Sequence, residues 1–83
     1  KDGKWIVYHD NGQHKMEGFF VNGKKHGEWT YWGKKGEVLA KFQFNHGTRI
    51  GHWQGYYPNH KKAIDLVYNP EGNPIQCIQY YPS

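Results

Sequence analysis

The chain is short of the residues from which disulfide scaffolds, serine active sites and membrane spans are built. Cys77 is its only cysteine, so an internal disulfide is impossible, and its only serine is the terminal Ser83. No apolar run is long enough for a transmembrane helix or for the core of a signal peptide. The chain begins at Lys1 instead of Met, which suggests a processed or excised segment. A processed segment slightly favours a location in the cell envelope or outside the cell, and a cytoplasmic location is not excluded.

Hydrophobic residues are also scarce, at 36% of the 83 residues. A single domain of this size can bury only a thin core. The chain is instead rich in aromatic residues, which make up 18% of it, and each ring can bury roughly 150–250 Å². The net charge of +4 is compatible with an acidic partner, an anionic membrane surface or nucleic acid.

The aromatic residues recur at two fixed spacings. One series places a ring at every twelfth residue: Tyr8, Phe20, Trp32, Phe44, Tyr56, Tyr68 and Tyr80. The other repeats a Gly-x-Trp element every twenty-four residues, at Gly3-Lys4-Trp5, Gly27-Glu28-Trp29 and Gly51-His52-Trp53. Such periodicity is the signature of a repeat protein. We therefore predict a single repeat domain over 1–83, with repeats at about 3–26, 27–50 and 51–74 and a proline-rich C-terminal cap at 75–83.

Short runs of aromatic and β-branched residues alternate with turn signals such as Asn22-Gly23. The runs predict about seven strands: Lys4–Tyr8, Lys15–Val21, Glu28–Trp32, Val38–Phe44, His52–Tyr57, Lys62–Tyr68 and Ile75–Tyr81. Twelve residues for one strand and one turn leave no room for a crossover helix, so neighbouring strands must be antiparallel. The predicted fold is all-β, an elongated antiparallel meander of β-hairpins that forms one open sheet.

The alternation of side chains along a strand predicts which residues share a face of this sheet. Met16, Gly18 and Phe20 should lie on one face. Each Trp of the second series lies three residues before a ring of the first series, so the two should point to opposite faces. These pairs are Trp5 and Tyr8, Trp29 and Trp32, and Trp53 and Tyr56. We also expect Gly18 and Gly55 to be places where a ring lies against bare backbone or where the strand bends.

The segment 18–32 combines a glycine, an Asn-Gly-Lys turn and a Gly-x-Trp-x-x-aromatic element. A second copy lies at 42–56, and a weaker half-copy lies at 3–8. This pattern closely resembles the MORN repeat, and more narrowly the bacterial MORN repeat variant. The resemblance implies repeated β-hairpins in an open, groove-like sheet that serves as a scaffold for varied partners. Some bacterial members carry the label of a YwqK-type antitoxin, which would make the chain a neutralising partner.

The later copies depart from this pattern. Thr48-Arg49 replaces the lysine pair of the first copy, and Asn69-Pro70-Glu71-Gly72 replaces the Asn-Gly-Lys turn. A ligand that several equivalent repeats would recognise together would therefore meet unequal sites.

Catalysis and metal binding are not expected. The six histidines, most of them in predicted turns, form no tight pair with a helper carboxylate and have no cysteine cluster beside them. The few carboxylates show no repeating or converging arrangement, and nothing positions Cys77 against a histidine. We expect no enzyme activity, no catalytic or metal-binding residues and no cofactor.

Basic residues mark most of the predicted turns. Successive turns of a meander emerge at alternate ends of the strands, so Lys24, Lys25 and Arg49 should line one side, and Lys34, Lys35, Lys61 and Lys62 the other. One interpretation is contact with an anionic surface. The simpler interpretation, which we favour, is that the lysines keep the sheet soluble and discourage unwanted strand pairing.

The Gly-x-Trp series supplies the other candidate site. Trp5, Trp29 and Trp53, with Tyr31 and Phe19 near them, could form an aromatic strip for a protein partner, because Trp and Tyr dominate binding hot spots. Alternatively the tryptophans pack on the next repeat and form the core. The two roles are compatible, since half-buried rings can also make contacts.

The sequence thus favours a non-enzymatic repeat module that mediates protein–protein interaction or assembly. Lys4–Tyr8 and Ile75–Tyr81 would leave open sheet edges, so edge pairing with another subunit or with a longer array is a second way to bind protein. The alternatives are a peripheral module for anionic lipid and the antitoxin role. Nucleic acid is not an expected partner.

Overall fold

The computed structural model describes residues 2–81, which form one open antiparallel sheet. Its strands are β1 (Gly3–Tyr8), β2 (His14–Val21), β3 (Lys24–Trp32), β4 (Val38–Asn45), β5 (Thr48–Arg49), β6 (Gly51–Tyr56), β7 (Lys62–Tyr68) and β8 (Pro74–Gln79). The spatial order is β1-β2-β3-β4-β6-β7-β8, with β5 paired to β4 alone. The principal extents of 41 × 37 × 10 Å are those of a single layer. The predicted all-β meander is confirmed.

The number and limits of the strands differ most from the prediction in two places, and most other limits differ by one or two residues. Strand β3 begins four residues early because Asn22 and Gly23 alone make the preceding turn, with φ of 51° and 79°. These angles are typical of the type I′ turn, whose twist matches that of its flanking strands. His46 and Gly47 repeat the geometry with φ of 48° and 89°, and the extra two-residue strand β5 follows them.

Four other connections share a five-residue loop, at 9–13, 33–37, 57–61 and 69–73. In each loop the N–H of the first residue donates to the carbonyl of the fifth, at 2.7–2.9 Å. The ladder beside every one of these loops shows a register shift. We call the end of the sheet with loops 9–13, 33–37 and 57–61 the first rim, and the end with turns 22–23, 46–47 and loop 69–73 the second rim.

The last loop marks the point where the repeat pattern changes. The second rim uses two-residue turns at its first two positions, but 69–73 adopts the five-residue form of the first rim. Asn69 supports it by accepting hydrogen bonds from the N–H groups of Glu71 and Asn73 at 3.1 and 2.9 Å. Strand β8 then ends at Gln79, so Tyr80 follows the strand instead of lying in it. Pro82, part of the predicted cap, lies outside the described residues.

The register of the ladders divides the sheet into two different faces. Trp5 pairs with Gly18, Trp29 with Phe42 and Trp53 with Leu66, so these residues share one face. We call it the ring face, defined by Trp5, Phe20, Trp29, Phe44, Trp53 and Tyr68. The opposite, mixed face carries Glu17, Glu28 and Asp65 together with Trp32 and Tyr56. The predicted shared face of Met16, Gly18 and Phe20 agrees with this register, and so does the opposite orientation within each Trp pair. The expectation that the two aromatic series lie on opposite faces is wrong for Phe20, Phe44 and Tyr68. They share the ring face with the tryptophans because Trp5 pairs with Gly18, two residues from Phe20, and the later repeats follow the same register.

Candidate interaction surface

Six rings form a continuous ladder across the strands of the ring face. Successive ring centroids, in the order Trp5, Phe20, Trp29, Phe44, Trp53 and Tyr68, are 5.9, 5.2, 6.5, 5.4 and 5.5 Å apart. Most of the pairs are edge-to-face, the arrangement that the ring quadrupoles favour, worth roughly 0.5–1.5 kcal/mol per pair. This ring ladder links strands β1 to β7. Residues 2–81 form no second layer that could cover it.

Trp29 is the anchor of the ring ladder. Its side chain is 1% exposed and is the one fully buried large side chain among the described residues. The space for the ring comes from Gly18, where an added Cβ would stand 2.0 Å from Trp29 Cδ2. Trp29 Nε1 has no hydrogen-bond partner, whereas Trp53 Nε1 donates to the carbonyl of Gln43 at 3.2 Å. Trp29 is therefore core, and the other five rings of the ladder remain half-buried.

A second, shorter row of rings lies beside the ladder. Tyr31 contacts Phe42 at 5.3 Å, and Phe42 contacts Trp53 at 4.4 Å. Four of the five residues predicted to form the aromatic strip are thus on the ring face: Trp5, Trp29, Trp53 and Tyr31. The fifth, Phe19, pairs with Lys4 and His26 and lies on the mixed face, where it is 47% exposed. Successive residues of a strand alternate between faces, which separates Phe19 from its neighbour Phe20.

Two cations lie over the ring ladder at equivalent positions of the repeat. Lys25 Nζ is 5.1 Å from the centre of Trp29 and 5.2 Å from that of Phe44. Arg49 Cζ is 5.2 Å from the centre of Trp53 and 6.0 Å from that of Tyr68. Sequence reasoning missed this pairing because it treated the basic residues as turn residues only. The sequence did contain a signal for this pairing. Lys25 and Arg49 are twenty-four residues apart, and each lies four residues before a Trp of the Gly-x-Trp series.

The remaining basic residues predicted to contact an anionic surface do not converge. Lys24, Lys25 and Arg49 are strand residues beside the second rim, whereas Lys34, Lys35 and Lys61 lie in loops of the first rim. Lys34 lies 3.9 Å from the carboxylate of Asp10. Lys62 is a strand residue and lies 3.5 Å from Asp65. The two rims are at opposite ends of the strands, as predicted, and no single basic patch joins them.

Charge is distributed unevenly between the faces. The three carboxylates that lie within strands, Glu17, Glu28 and Asp65, are all on the mixed face. There Glu17 pairs with Lys4 at 2.9 Å. The strand residues of the ring face include Lys25 and Arg49 but no carboxylate. The ring face is therefore aromatic and cationic, and the mixed face carries charges of both signs.

Asp65 is the one buried ionisable residue in the described chain, at 7% exposure. Its Oδ1 is 3.1 Å from His52 Nδ1, and its Oδ2 is 3.5 Å from Lys62 Nζ. Burial alone would raise the pKa of Asp65, but the hydrogen bond with His52 and the charges of His52 and Lys62 outweigh it, so the pKa lies below its ordinary value. This cluster ties β6 to β7 on the mixed face.

Other kinds of site find little support in residues 2–81. These residues hold no group of three or more histidine, cysteine, aspartate or glutamate side chains that could bind a metal ion. No helix capable of crossing a membrane occurs among them. Cys77 is exposed on β8 and forms no disulfide.

Comparison with known protein families finds a match at the start of the chain. The family model described as MORN repeat variant matches residues 1–22, which include β1 and β2. The chain is thus similar to MORN repeat variants over this segment, which contains the half-copy at 3–8. The copy at 18–32 extends beyond the matched residues, and the copy at 42–56 lies outside them. No curated protein and no solved structure matches the chain. Nothing in the comparisons supports the bacterial antitoxin label.

Proposed function

We propose that the chain is a non-catalytic repeat module that binds another protein through the ring face. The observation that carries the proposal is the ring ladder: five of its six rings are half-buried, on a one-layer sheet. Large aromatic rings and arginine are the residues that most often dominate binding energy at protein interfaces. A partner laid over the ladder would complete the burial of these rings.

The charges of the ring face favour a particular kind of partner segment. Lys25 and Arg49 lie over the rings, and the strands contribute no carboxylate to this face. An apolar segment with acidic side chains would bury its apolar part on the rings and place its carboxylates beside these two cations. Complementary charge of this kind speeds association and selects among partners.

The experiment compares two surface variants with the wild-type chain. A protein captured from cell extract would be identified, purified and titrated against each version by calorimetry. Arg49→Glu reverses a charge on the ring face and should weaken binding at least about tenfold. Lys41→Glu reverses a charge on the mixed face and should leave the affinity unchanged. Circular dichroism would first show that both variants are folded.

Two results would overturn the proposal. One is equal loss of binding in Arg49→Glu and Lys41→Glu, which would indicate that the ring face is not the contact. The other is an absence of any protein partner combined with binding to vesicles of phosphatidylserine and phosphatidylcholine that disappears in moderate salt, because surface charge attraction is screened. That second result would support an anionic-lipid module instead.

A further inference from the structure

We propose that the free edge of β8 pairs with the same edge of a second copy, giving a two-fold dimer with one continuous sheet. The proposed site is the edge strand β8 and not the ring face. The proposal therefore does not depend on whether a partner protein binds the ring face.

The β8 edge lacks charged side chains, and only its start is protected, by Pro74 and a register shift. Exposed edges are commonly guarded by charged side chains, which discourage pairing with other chains. No charged residue occurs from Gly72 to Tyr81, and every residue of β8 is exposed. Ile75 is 63% exposed and Ile78 is 38% exposed. At the other edge of the sheet, β1 carries Lys4 in an ion pair with Glu17.

The hydrogen bonds to β7 determine which backbone groups of β8 are free. Tyr80 donates its N–H to the carbonyl of Ala63 at 2.9 Å, so it faces β7. Backbone groups of a strand alternate in direction, so those of Ile78 and Gln76 also face β7. The N–H and carbonyl groups of Cys77 and Gln79 therefore point to the open edge. A register shift at the start of β8 breaks the alternation at Ile75. Of its two groups only the carbonyl points outward, because it lies opposite the N–H of Gln76 in the same planar peptide.

These outward groups are self-complementary about a two-fold axis at Cys77. In an antiparallel pairing centred there, Cys77 lies opposite Cys77 of the second copy, and Ile75 lies opposite its Gln79. Each Cys77 can donate and accept one hydrogen bond, and the N–H of each Gln79 can donate to the carbonyl of the Ile75 opposite it, giving about four in the ladder. No charged side chains oppose each other, and each isoleucine of one strand faces a glutamine of the other.

The geometry of the sheet favours this two-fold pairing over a head-to-tail one. An axis perpendicular to the sheet keeps both ring faces on the same side and makes the two β8 strands antiparallel. Strands β1 and β8 run in the same direction, because each neighbour in the path is antiparallel. Pairing β8 with β1 of another copy, with ring faces aligned, would therefore be parallel. The two-fold contact also closes after two copies, which prevents indefinite growth.

Sedimentation velocity on the reduced 83-residue chain tests the proposal. Two edge strands bury less than a standard interface of roughly 1,200–2,000 Å², so we expect a dimer that forms with a Kd of about 10–100 µM. Cys77→Lys places like charges opposite each other at the axis and should weaken the dimer at least about tenfold. Cys77→Ser should leave it intact. A chain that stays monomeric at about 500 µM, or a dimer unaffected by Cys77→Lys, would overturn the proposal.

Crosslinking tests the register separately. Hydrogen-bonded antiparallel pairs have Cα atoms about 5.5 Å apart, which is within the range of a disulfide. Diamide, which takes up the two thiol hydrogens, should therefore link Cys77 of one copy to Cys77 of the other. The control is Gln79→Cys in the Cys77→Ser background, because Gln79 lies opposite Ile75 and far from its own counterpart. Equal crosslinking of the two proteins, or none in either, would contradict a two-fold axis at Cys77.

Discussion

At the scale of single residues, the absence of a side chain at Gly18 determines how the core packs. Gly18 leaves room for the Trp29 ring, and an added Cβ would stand 2.0 Å from Cδ2 of that ring. We expect Gly18→Ala to displace Trp29 and to lower the free energy of unfolding by about 3 kcal/mol, the upper part of the range for overpacking. Urea denaturation followed by tryptophan fluorescence measures this loss.

Gly55→Ala is the matched control for this change. Its added Cβ would lie 3.0 Å from Ile64 Cγ2, a tight contact that a small shift of one aliphatic side chain can relieve. We expect it to cost less than about 1 kcal/mol. If Gly18→Ala were as well tolerated as Gly55→Ala, Trp29 would not be held by the absence of a side chain at residue 18.

The same scale shows which parts of the candidate site the sequence could predict. Trp5, Trp29 and Trp53 lie on one face because strand alternation is a local property. The sequence also predicted that a ring would lie against Gly18, which is confirmed. It did not identify the ring as Trp29, because the register between β2 and β3 is not specified by the sequence alone. The separation of Phe19 from the tryptophans depends in the same way on the register between β1 and β2.

At the scale of strands, the Asp65 cluster should make the β6–β7 pairing sensitive to acid. The folded chain lowers the pKa of Asp65 below 3.8, so the charged carboxylate stabilises the fold above this pH. The contribution is lost as the pH falls through the folded-state pKa. We expect Asp65→Asn to cost about 1–2 kcal/mol at pH 7. The difference from the wild-type chain should shrink below about pH 4.

Glu28→Gln provides the control, because Glu28 is an exposed carboxylate of the same face. It should change the free energy of unfolding little at either pH, since exposed groups contribute little. Urea titrations of the three proteins at pH 7 and at pH 3 give all the values needed. An Asp65→Asn deficit that stayed constant from pH 7 to pH 3 would mean that the charge of Asp65 is not what joins the strands.

The strand limits also show which features of the fold the sequence pattern could predict and which it could not. The period of twelve predicted the number and order of the main strands, because one strand and one turn fill that length. It did not distinguish a two-residue turn from a five-residue loop. For this reason β3 begins at Lys24 instead of Glu28, and β5 was not predicted. Asn22-Gly23 carried the type I′ signal, but His46-Gly47 adopts the same turn with a less typical residue.

At the scale of the whole molecule, a one-layer sheet should be unevenly stable along its strand order. Trp29 of β3 is fully buried, and it contacts Phe20 of β2 and Phe44 of β4, whereas every residue of β8 is exposed. Local opening requires least energy where few apolar contacts must be broken. We expect amide exchange in dilute protein to be slowest in β2–β4 and fastest in β8.

The concentration dependence of this exchange distinguishes the two edges of β8. In the monomer, the N–H of Ile78 is bonded to β7, while those of Cys77 and Gln79 point to solvent. Raising the concentration above about 100 µM should slow exchange at Cys77 and Gln79 if the β8 edges pair, because these groups then become donors. Ile78 should change less, since its bond already exists in the monomer. Uniform slowing along β8 would indicate a general gain in stability, and no slowing would mean that the outward groups remain unpaired.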